Sequence, residues 1–466
     1  MDRKEERLSH FIENPAAYDV LVVGGGKSGF AALQFLKRKG AAVSLSDSGV
    51  REEKSSELLE WLEKEKIEAE FGGHTLKAFQ DADVIVVSPG VPRDIPPIVE
   101  AGNRDVPIIG EMGLASCFID IPIVAVTGTN GKTTVTEMVG AMLQADAKKV
   151  FVGGNIGTPV TEFILENGDA EAAVLEVSSF QLETAGTFRP KVGVLLNITP
   201  DHLDRYSSYE EYGDTKFELF RNQQPEDAMV LNAADEEIMA RLEKLGGKGK
   251  KYFFGRGLEG MPGAEWKNDH VEICWERQGR KEQYVLPAQM KVSPVRDNCM
   301  AAILAARLIG CSERGVTAGL QEFQIPPHRV TLVAEINNVA YYDDSKATNI
   351  GAVQSALAGM ERPVILIAGG RDKGGDYALL TEKVREKVKK LLLIGEAGEK
   401  MAKALEAHTE VEMLQDLDAA VKRAAELAVK GDAVLLSPAC SSFDMFRSYV
   451  DRGEHFQKAV GRLLDK

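Results

Sequence analysis

The segment Ile123–Thr134 has the sequence IVAVTGTNGKTT, and the organisation of the whole chain follows from it. An apolar, β-branched run leads into a glycine-containing loop that ends in Lys132-Thr133, where a helical pattern begins. This order predicts a strand, a phosphate loop and a helix. Gly128 and Gly131 allow the loop to turn its backbone N–H groups inward. Lys132 supplies a positive charge and Thr133 a hydroxyl for Mg²⁺, so the segment predicts a binding site for the triphosphate of ATP.

The loop is shorter than the strict Walker pattern, which requires a glycine at the position of Val126. It has the variant sequence Gly-Thr-Asn-Gly-Lys-Thr-Thr. An ordinary glycine turn between a strand and a helix is the alternative interpretation. The Lys-Thr pair at the predicted start of the helix favours the phosphate site.

Length and composition indicate a protein of about three domains that binds small molecules. The chain has 466 residues and a formal net charge of −15, which argues against a nucleic-acid partner. Its five cysteines are widely separated and predict free thiols rather than disulfides or zinc ligands. No apolar run approaches the ~20 residues of a membrane span, and the charged start MDRKEERLSH is not a signal peptide. We expect a monomeric, cytoplasmic protein.

A second glycine loop follows the apolar run Asp19–Val23 and has the sequence GGGKSG over residues 24–29. The next apolar run ends at Asp47, so the segment matches a dinucleotide site with an acidic residue for a ribose hydroxyl. A lone G-x-G-x-x-G is weak evidence, because a diphosphate at a helix N-terminus is equally suited to NAD, FAD or a UDP-sugar.

Alternating strand and helix patterns predict an α/β fold with three domains. We expect an N-terminal Rossmann-like domain over residues 1–113 and a central P-loop-type ATPase domain with a mostly parallel sheet over 114–325. A C-terminal Rossmann-like α/β domain would cover 326–466. Residues 247–290 carry no recognisable motif.

Polar side chains follow several predicted strands of the central region, where a doubly wound sheet places its ligand crevice. They include Asn155, Glu176 and the run Asn197–His202. Glu176 is hard to explain as a structural residue, because an unpaired buried carboxylate costs free energy. His202 alone is also compatible with an ordinary loop histidine.

Taken together, these motifs resemble the Mur ligases over nearly the whole chain. The phosphate loop is shared by that superfamily, including folylpolyglutamate synthases, and implies only an ATP-dependent amide ligase. Five further motifs are similar to those of the member that adds D-glutamate to UDP-N-acetylmuramoyl-L-alanine, through an acyl phosphate, in peptidoglycan precursor synthesis. The D-N-P-R motif of the diaminopimelate-adding relative is absent. The five motifs are LEVSSFQLE (175–183), NITPDHLDRY (197–206), YYDDSKATN (341–349), GGRDKGGDY (369–377) and SPACSSFDMF (437–446).

The resemblance implies catalytic roles for Lys132, Glu176, His202 and Lys216. Thr133, Glu176, His202 and Lys216 would hold or orient Mg²⁺, with Lys216 carbamylated by CO₂. Judged from its sequence context alone, Lys216 is a solvated helix lysine.

The resemblance also implies three groups of ligand contacts. The ATP contacts are Gly128, Thr129, Asn130, Gly131, Lys132, Thr133, Thr134, Asn298, Arg329 and Asp344. The UDP-substrate contacts are Gly26, Lys27, Ser28, Asp47, Ser48, Gly90, Asn155 and His202. The amino-acid contacts are Lys346, Thr348, Lys373, Ser442, Phe443 and Tyr449.

The chain departs from the family at three of these places. Where the family usually has a hydrophobic residue and Thr in the first loop, this chain has Lys27-Ser28. It has Gly49 where an arginine often follows the uracil-side hydroxyl, and Ala301 in place of the second asparagine of His-Asn-x-x-Asn.

Two other functions remain as alternatives. A nicotinamide-dependent dehydrogenase would explain the first glycine loop and leave the phosphate loop and Glu176 unexplained. A non-catalytic ATP-binding switch would leave the C-terminal lysines without a role. Lys373 by itself is equally compatible with a surface lysine in a glycine loop.

Overall fold

The computed structural model describes residues 3–166, 168–202, 205–276 and 279–464. Leu203 and Asp204 of the motif at 197–206 lie outside the described residues. The chain forms three α/β units, each built on its own sheet, which confirms the predicted fold class. Among the described helices, none combines the length and the apolar character needed to cross a membrane.

The first unit contains a five-stranded parallel sheet in the order β3-β2-β1-β4-β5. Its central strands are apolar and buried because helices cover both faces. The strands are β1 (Asp19–Val23), β2 (Ala42–Asp47), β3 (Glu68–Phe71), β4 (Val84–Val87) and β5 (Ile108–Gly110). The helices are α1 (Arg3–Glu13), α2 (Lys27–Arg38), α3 (Ser56–Glu65), α4 (Leu76–Gln80), α5 (Pro96–Asn103) and α6 (Glu111–Ser116).

The central unit has a nine-stranded sheet in the order β14-β13-β12-β11-β10-β9-β6-β8-β7. The pairs β12–β13 and β13–β14 are antiparallel and the other pairs are parallel. Its strands are β6 (Ile123–Thr127), β7 (Val150–Gly154), β8 (Ala172–Glu176), β9 (Val192–Leu195), β10 (Ala228–Asn232), β11 (Lys250–Gly255), β12 (Gly263–Lys267), β13 (His270–Cys274) and β14 (Lys281–Tyr284). Its helices are α7 (Lys132–Ala145), α8 (Val160–Leu165), α9 (Ser179–Leu182), α10 (Tyr209–Phe217), α11 (Glu236–Leu245), α12 (Val295–Leu308) and α13 (Glu313–Glu322).

The core of this unit fixes the helix that follows the phosphate loop. Every residue of β6 is buried, and α7 packs on the sheet together with the alanine-rich α12. Small side chains on α12 allow close packing, and the apolar surface removed from water stabilises the arrangement by about 25 cal/mol per Å². The loop between β6 and α7 is therefore held at both ends by buried elements.

The third unit has a six-stranded sheet in the order β15-β16-β20-β17-β18-β19, with only β15–β16 antiparallel. The strands are β15 (Thr331–Ile336), β16 (Val339–Asp343), β17 (Val364–Gly369), β18 (Val388–Ile394), β19 (Glu410–Met413) and β20 (Ala433–Leu436). The helices are α14 (Ile350–Gly359), α15 (Thr381–Lys387), α16 (Gly398–Leu405), α17 (Leu417–Leu427) and α18 (Tyr449–Leu464).

Candidate active site

A cleft of about 290 Å³ lies where the phosphate loop of the central unit faces the third unit. Many residues predicted from the sequence line it: Thr129, Asn130, Gly131, Lys132, Thr133, Thr134, Asn155, Glu176, Asn298, Arg329, Asp344, Lys346 and Thr348. Asn197, Asp201 and Asn349 line it as well. The predicted ATP contacts other than Gly128 therefore share one cleft with part of the predicted amino-acid contacts.

The phosphate loop adopts a conformation that needs its glycines. Gly128 has φ +146°, and a Cβ atom there would lie 3.0 Å from Cβ of Leu196. Gly131, at φ +88°, precedes the first turn of α7, and the free N–H groups of a helix N-terminus can bind an anion. The Lys132 ammonium donates to the carbonyls of Gly128 (2.9 Å) and Thr129 (3.0 Å). The charge is thus held at the loop itself.

Three cations give the cleft its electrostatic character. Burial lowers the pKa of Lys132, and burial likewise lowers the pKa of Arg329. Burial, followed by the neighbouring Arg329, lowers the pKa of Lys346 to about 8. The Lys346 ammonium lies 4.0 Å from the centre of the Tyr449 ring. Mutually repelling cations that the protein only partly neutralises favour the binding of a polyanion.

Glu176, at the carboxyl end of β8, is 3% exposed. Its Oε1 accepts a hydrogen bond from the Asn155 amide at 2.8 Å. Its buried Oε2 has no hydrogen-bond partner among the described residues. Glu176 and Thr133 both line the cleft, and an unpaired carboxylate oxygen together with a hydroxyl suits a divalent cation, since hard cations prefer oxygen ligands.

The described residues contain no group of three or more His, Cys, Asp and Glu side chains placed to hold a metal ion. A cation here would take the rest of its ligands from water and from a nucleotide. This is the usual manner of Mg²⁺, which retains waters and is shared with phosphates.

Lys216 is 2% exposed, so its interpretation as a solvated helix lysine is wrong. It lies in the last turn of α10, where its ammonium donates to the carbonyl of Gly128 at 3.0 Å. Its nitrogen is also 4.6 Å from the centre of the Tyr212 ring. Burial, and then the charge of Lys132, lowers the pKa of Lys216 well below its ordinary value. The hydrophobic periodicity of α10 could not predict the burial of Lys216, because its contact with Gly128 joins residues far apart in the chain.

His202 is exposed and has φ +53°. Its ring lies 5.0 Å from that of Phe180, and its Nε2 is 3.8 Å from Asp201. Its side chain does not line the cleft, unlike Asp201 beside it.

In the third unit, the predicted amino-acid contacts divide into two sets. Lys346 and Thr348 line the cleft, and Tyr449 adjoins it through Lys346. Lys373, Ser442 and Phe443 do not line it; Ser442 is buried, whereas Lys373 and Phe443 are exposed.

Asp344 is buried at the end of β16 and accepts a hydrogen bond from the Ser437 hydroxyl at 2.7 Å. Burial raises the pKa of Asp344 to about 7.

The first glycine loop lies outside this cleft. Gly26 precedes α2, and the Lys27 ammonium donates to the Gly157 carbonyl of the central unit at 2.8 Å. Asp47 accepts from Gly25 N–H (2.6 Å) and pairs with Lys54 (2.6 Å). Burial alone would raise the pKa of Asp47, but hydrogen bonds from Lys54 and the backbone lower it. Ser28 is the second residue of α2, Ser48 follows β2, and Gly90, after β4, accepts from Arg205 at 3.3 Å.

Two asparagines that the sequence analysis left without a role hold the phosphate loop. Asn197 Oδ1 accepts from the backbone N–H of Asn130 at 2.8 Å, and its amide donates to the carbonyl of Asn130 at 3.0 Å. Asn349 contacts the Asn130 side chain from the third unit. Both lie in quoted motifs, but only the fold shows what they contact.

Each of the three units matches a protein-family model. The models are a MurD-like Mur ligase N-terminal domain at 18–110, a Mur ligase middle domain at 126–306 and a Mur ligase glutamate ligase domain at 328–440. The chain therefore belongs to the Mur ligase family.

Within that family, the chain is similar to curated D-glutamate ligases. It is 43% identical to the UDP-N-acetylmuramoylalanine--D-glutamate ligase of Desulfosudis oleivorans, over 96% of each chain. It is 43% identical to the enzyme of that name from Geotalea uraniireducens, over 96% of this chain and 98% of the relative.

Solved structures support the fold. The pseudomurein peptide ligase type C of Methanothermus fervidus superimposes with a TM-score of 0.60 at 19% identity, covering 96% of this chain and 100% of the other. The MurF ligase of Thermotoga maritima in complex with ADP superimposes with a TM-score of 0.58 at 17% identity, covering 95% of both chains.

Proposed function

We propose that this protein is an ATP-dependent ligase that joins D-glutamate to the alanyl carboxylate of UDP-N-acetylmuramoyl-L-alanine, a step of peptidoglycan precursor synthesis in the cytoplasm. The observation that carries the proposal is the cleft, whose lining brings together a phosphate loop, three cations and the Glu176 carboxylate, one oxygen of which has no hydrogen-bond partner among the described residues. The choice of amino acid and acceptor rests on the full-length similarity to curated D-glutamate ligases.

The reaction requires two anions to meet, namely a substrate carboxylate and the γ-phosphate of ATP. In our proposal a carboxylate oxygen attacks the γ-phosphorus, and the bond to ADP breaks. Lys132 and the N-terminus of α7 bind the phosphates, and Arg329 adds positive charge from the third unit. Mg²⁺, held by Thr133 and Glu176, would neutralise further phosphate charge. These groups offset the repulsion and orient the reactants.

The second step forms the amide bond. The neutral amine of D-glutamate attacks the acyl carbon, and inorganic phosphate leaves with the former carboxylate oxygen. The nitrogen loses one proton as the amide forms, and the leaving phosphate takes up one proton. Lys346 and Thr348 supply a cation and a hydroxyl for the carboxylates of the amino acid. Lys373, Ser442, Phe443 and Tyr449 would complete that pocket.

We further propose that Lys216 is carbamylated. An amine must be neutral to add CO₂, and the lowered pKa of buried Lys216 favours the neutral form. The product is an anion beside the phosphate loop, where it would join Glu176 as a partner of bound metal. His202 is exposed and does not line the cleft, so it would join them only after its side chain turns toward the cleft.

The remaining assignments are also proposals. The UDP group would bind the first unit at Gly26, Lys27, Ser28, Asp47, Ser48 and Gly90, with Asn155 along the muramoyl chain. Asn298, Arg329 and Asp344 would contact the nucleoside of ATP. We propose domain boundaries near residues 113 and 325, the first of which falls within α6, and a monomeric enzyme.

The test is a coupled assay for ADP release. We expect release only when ATP, UDP-N-acetylmuramoyl-L-alanine and D-glutamate are all present. In a separate incubation with NADH and without coupling enzymes, the NADH absorbance should not change. D-Glutamine should be a poor substrate, because one cation would lose its partner. ADP release without the amino acid would instead indicate an ATP-hydrolysing switch, and equal rates with D-glutamate, L-lysine and diaminopimelate would indicate another member of the family.

A further inference from the structure

Asn349, the residue before α14, uses the whole hydrogen-bonding capacity of its side chain. Its Oδ1 accepts from the backbone N–H of Ala352 (2.9 Å) and from the amide of Asn130 (3.2 Å). Its Nδ2 donates to Oδ1 of Asn130 (3.2 Å) and to Oδ2 of Asp201 (3.1 Å). A primary amide has two acceptor sites and two donor hydrogens, so all four are occupied.

These contacts join two units at the phosphate loop. Asn197, from the central unit, already fixes the backbone of Asn130 through two hydrogen bonds. Asn349, from the third unit, fixes the side chain of the same residue. The conformation of the loop is thus determined from both sides of the cleft.

The first turn of α14 also lies directly against the loop that carries Asp201. A Cβ atom at Gly351 would lie 2.2 Å from Oγ1 of Thr199, which leaves no room for a side chain. Close approach of the backbone at this point allows the Asn349 amide to reach across the cleft. Lys346 and Thr348 lie on the segment just before it, so the contact also fixes their distance from the phosphate loop.

We propose that Asn349 is a positioning residue for phosphoryl transfer, and that the position requires an amide. Through it the third unit holds Asn130 and Asp201 while Lys346 and Thr348 face the reacting groups. A carboxylate at this position would lose both donors and repel Asp201. The proposal deepens the ligase function and rests on it.

Two substitutions separate this role from helix capping. Asn349→Asp preserves shape and is a good N-cap, and Asn349→Ser also caps but is too short to reach Asn130. We expect kcat to fall at least about tenfold in Asn349→Ser and further in Asn349→Asp. The thermal midpoint should stay within about 2 °C, because both variants retain the cap. The Kd of a non-hydrolysable ATP analogue should change less than about threefold, because Asn197 still holds the loop backbone.

Two controls test the route of the effect. Gln354→Ala, on the same helix, removes a hydrogen bond to the Leu379 carbonyl within the third unit and should leave kcat near the wild-type value. In an Asn130→Ala background, Asn349→Ser should cost less than in the wild type, because the two side chains act through one contact.

A readout independent of turnover is the radius of gyration with the ATP analogue bound, measured by X-ray scattering. We expect a larger value for Asn349→Asp than for the wild type. Wild-type kcat and an unchanged radius of gyration in Asn349→Asp would overturn the proposal, as would an equal loss of kcat in Gln354→Ala. A wild-type protein that fails to ligate would refute the proposed ligase function, and the scattering result would still decide whether Asn349 holds the two units together.

Discussion

The two glycine loops of this chain each contain a lysine, each lie between a strand and a helix, and differ in what surrounds them. Around the phosphate loop, a buried carboxylate oxygen of Glu176 has no hydrogen-bond partner among the described residues, and the Lys132 ammonium donates to the carbonyls of Gly128 and Thr129 in its own loop. In the first loop, Asp47 is satisfied by Lys54 and the backbone, and Lys27 reaches the central unit.

This difference shows that a sequence motif predicts the conformation of a loop, whereas the residues around the loop determine how much free energy a ligand gains by binding there. The described residues only partly neutralise the charged groups at the phosphate loop, so a bound anion and a bound cation would stabilise them strongly. The groups of the first loop must exchange existing partners before they can bind a ligand, so each contributes less. We therefore expect substitutions at the phosphate loop to have the larger effects.

The largest effect should come from a matched pair of lysine substitutions. Lys132→Ala should lower kcat at least about 100-fold, because it removes the charge at the transferred phosphate. Lys27→Ala should mainly raise the KM for UDP-N-acetylmuramoyl-L-alanine, by about three- to tenfold. Steady-state kinetics of both variants provide the comparison. If Lys132→Ala retains more than about a tenth of wild-type turnover, the larger effect expected at the phosphate loop is contradicted.

Lys216→Ala should be nearly inactive, because it removes the proposed carbamate beside the phosphate loop. Added short carboxylic acids should restore part of the activity, since a free carboxylate can occupy the vacated space. Lys216→Arg is the control, because the arginine side chain cannot be carbamylated and fills the space that an added carboxylic acid would need. Rescue by acetate in the alanine variant alone is the expected result, and an intact-mass spectrum showing only unmodified lysine in the active wild type would argue against the carbamate.

The cations of the cleft predict a pH dependence. The pKa of Lys346 is about 8, so the side chain is an ammonium below that pH and a neutral amine above it. The kcat/KM for D-glutamate should therefore fall by several-fold relative to Lys346→Arg as the pH rises from 7 to 9, because arginine stays charged. Parallel profiles for the two proteins would show that Lys346 does not bind the amino acid as a cation.

The smallest effect should come from Asp47→Asn. The substitution removes the ion pair with Lys54 while leaving one oxygen acceptor for the backbone. We expect the KM for the UDP substrate to rise about threefold, with kcat and the KM for ATP unchanged. A loss of 30-fold or more in kcat/KM would show that the first loop is as finely organised as the phosphate loop.

The sequence predicted those features that depend on local pattern. Buried strands such as β6 read as continuous apolar runs, and Glu176 stands out because a carboxylate ends one of them. The strands β11–β14 were not predicted, since residues 247–290 lack a clear apolar period. The burial of Lys216 and the contacts of Asn349 depend on residues far away in the chain, which no local pattern records.

The central claim is that the cleft activates a substrate carboxylate with ATP. Its most direct test uses UDP-N-acetylmuramoyl-L-alanine labelled with ¹⁸O in the alanyl carboxylate, with mass spectrometry of the inorganic phosphate formed in the presence of ATP and D-glutamate. We predict one ¹⁸O atom in each phosphate and none in ADP, because the phosphate leaves with a carboxylate oxygen. Unlabelled phosphate would show that water attacks ATP, and would contradict the proposed ligase mechanism.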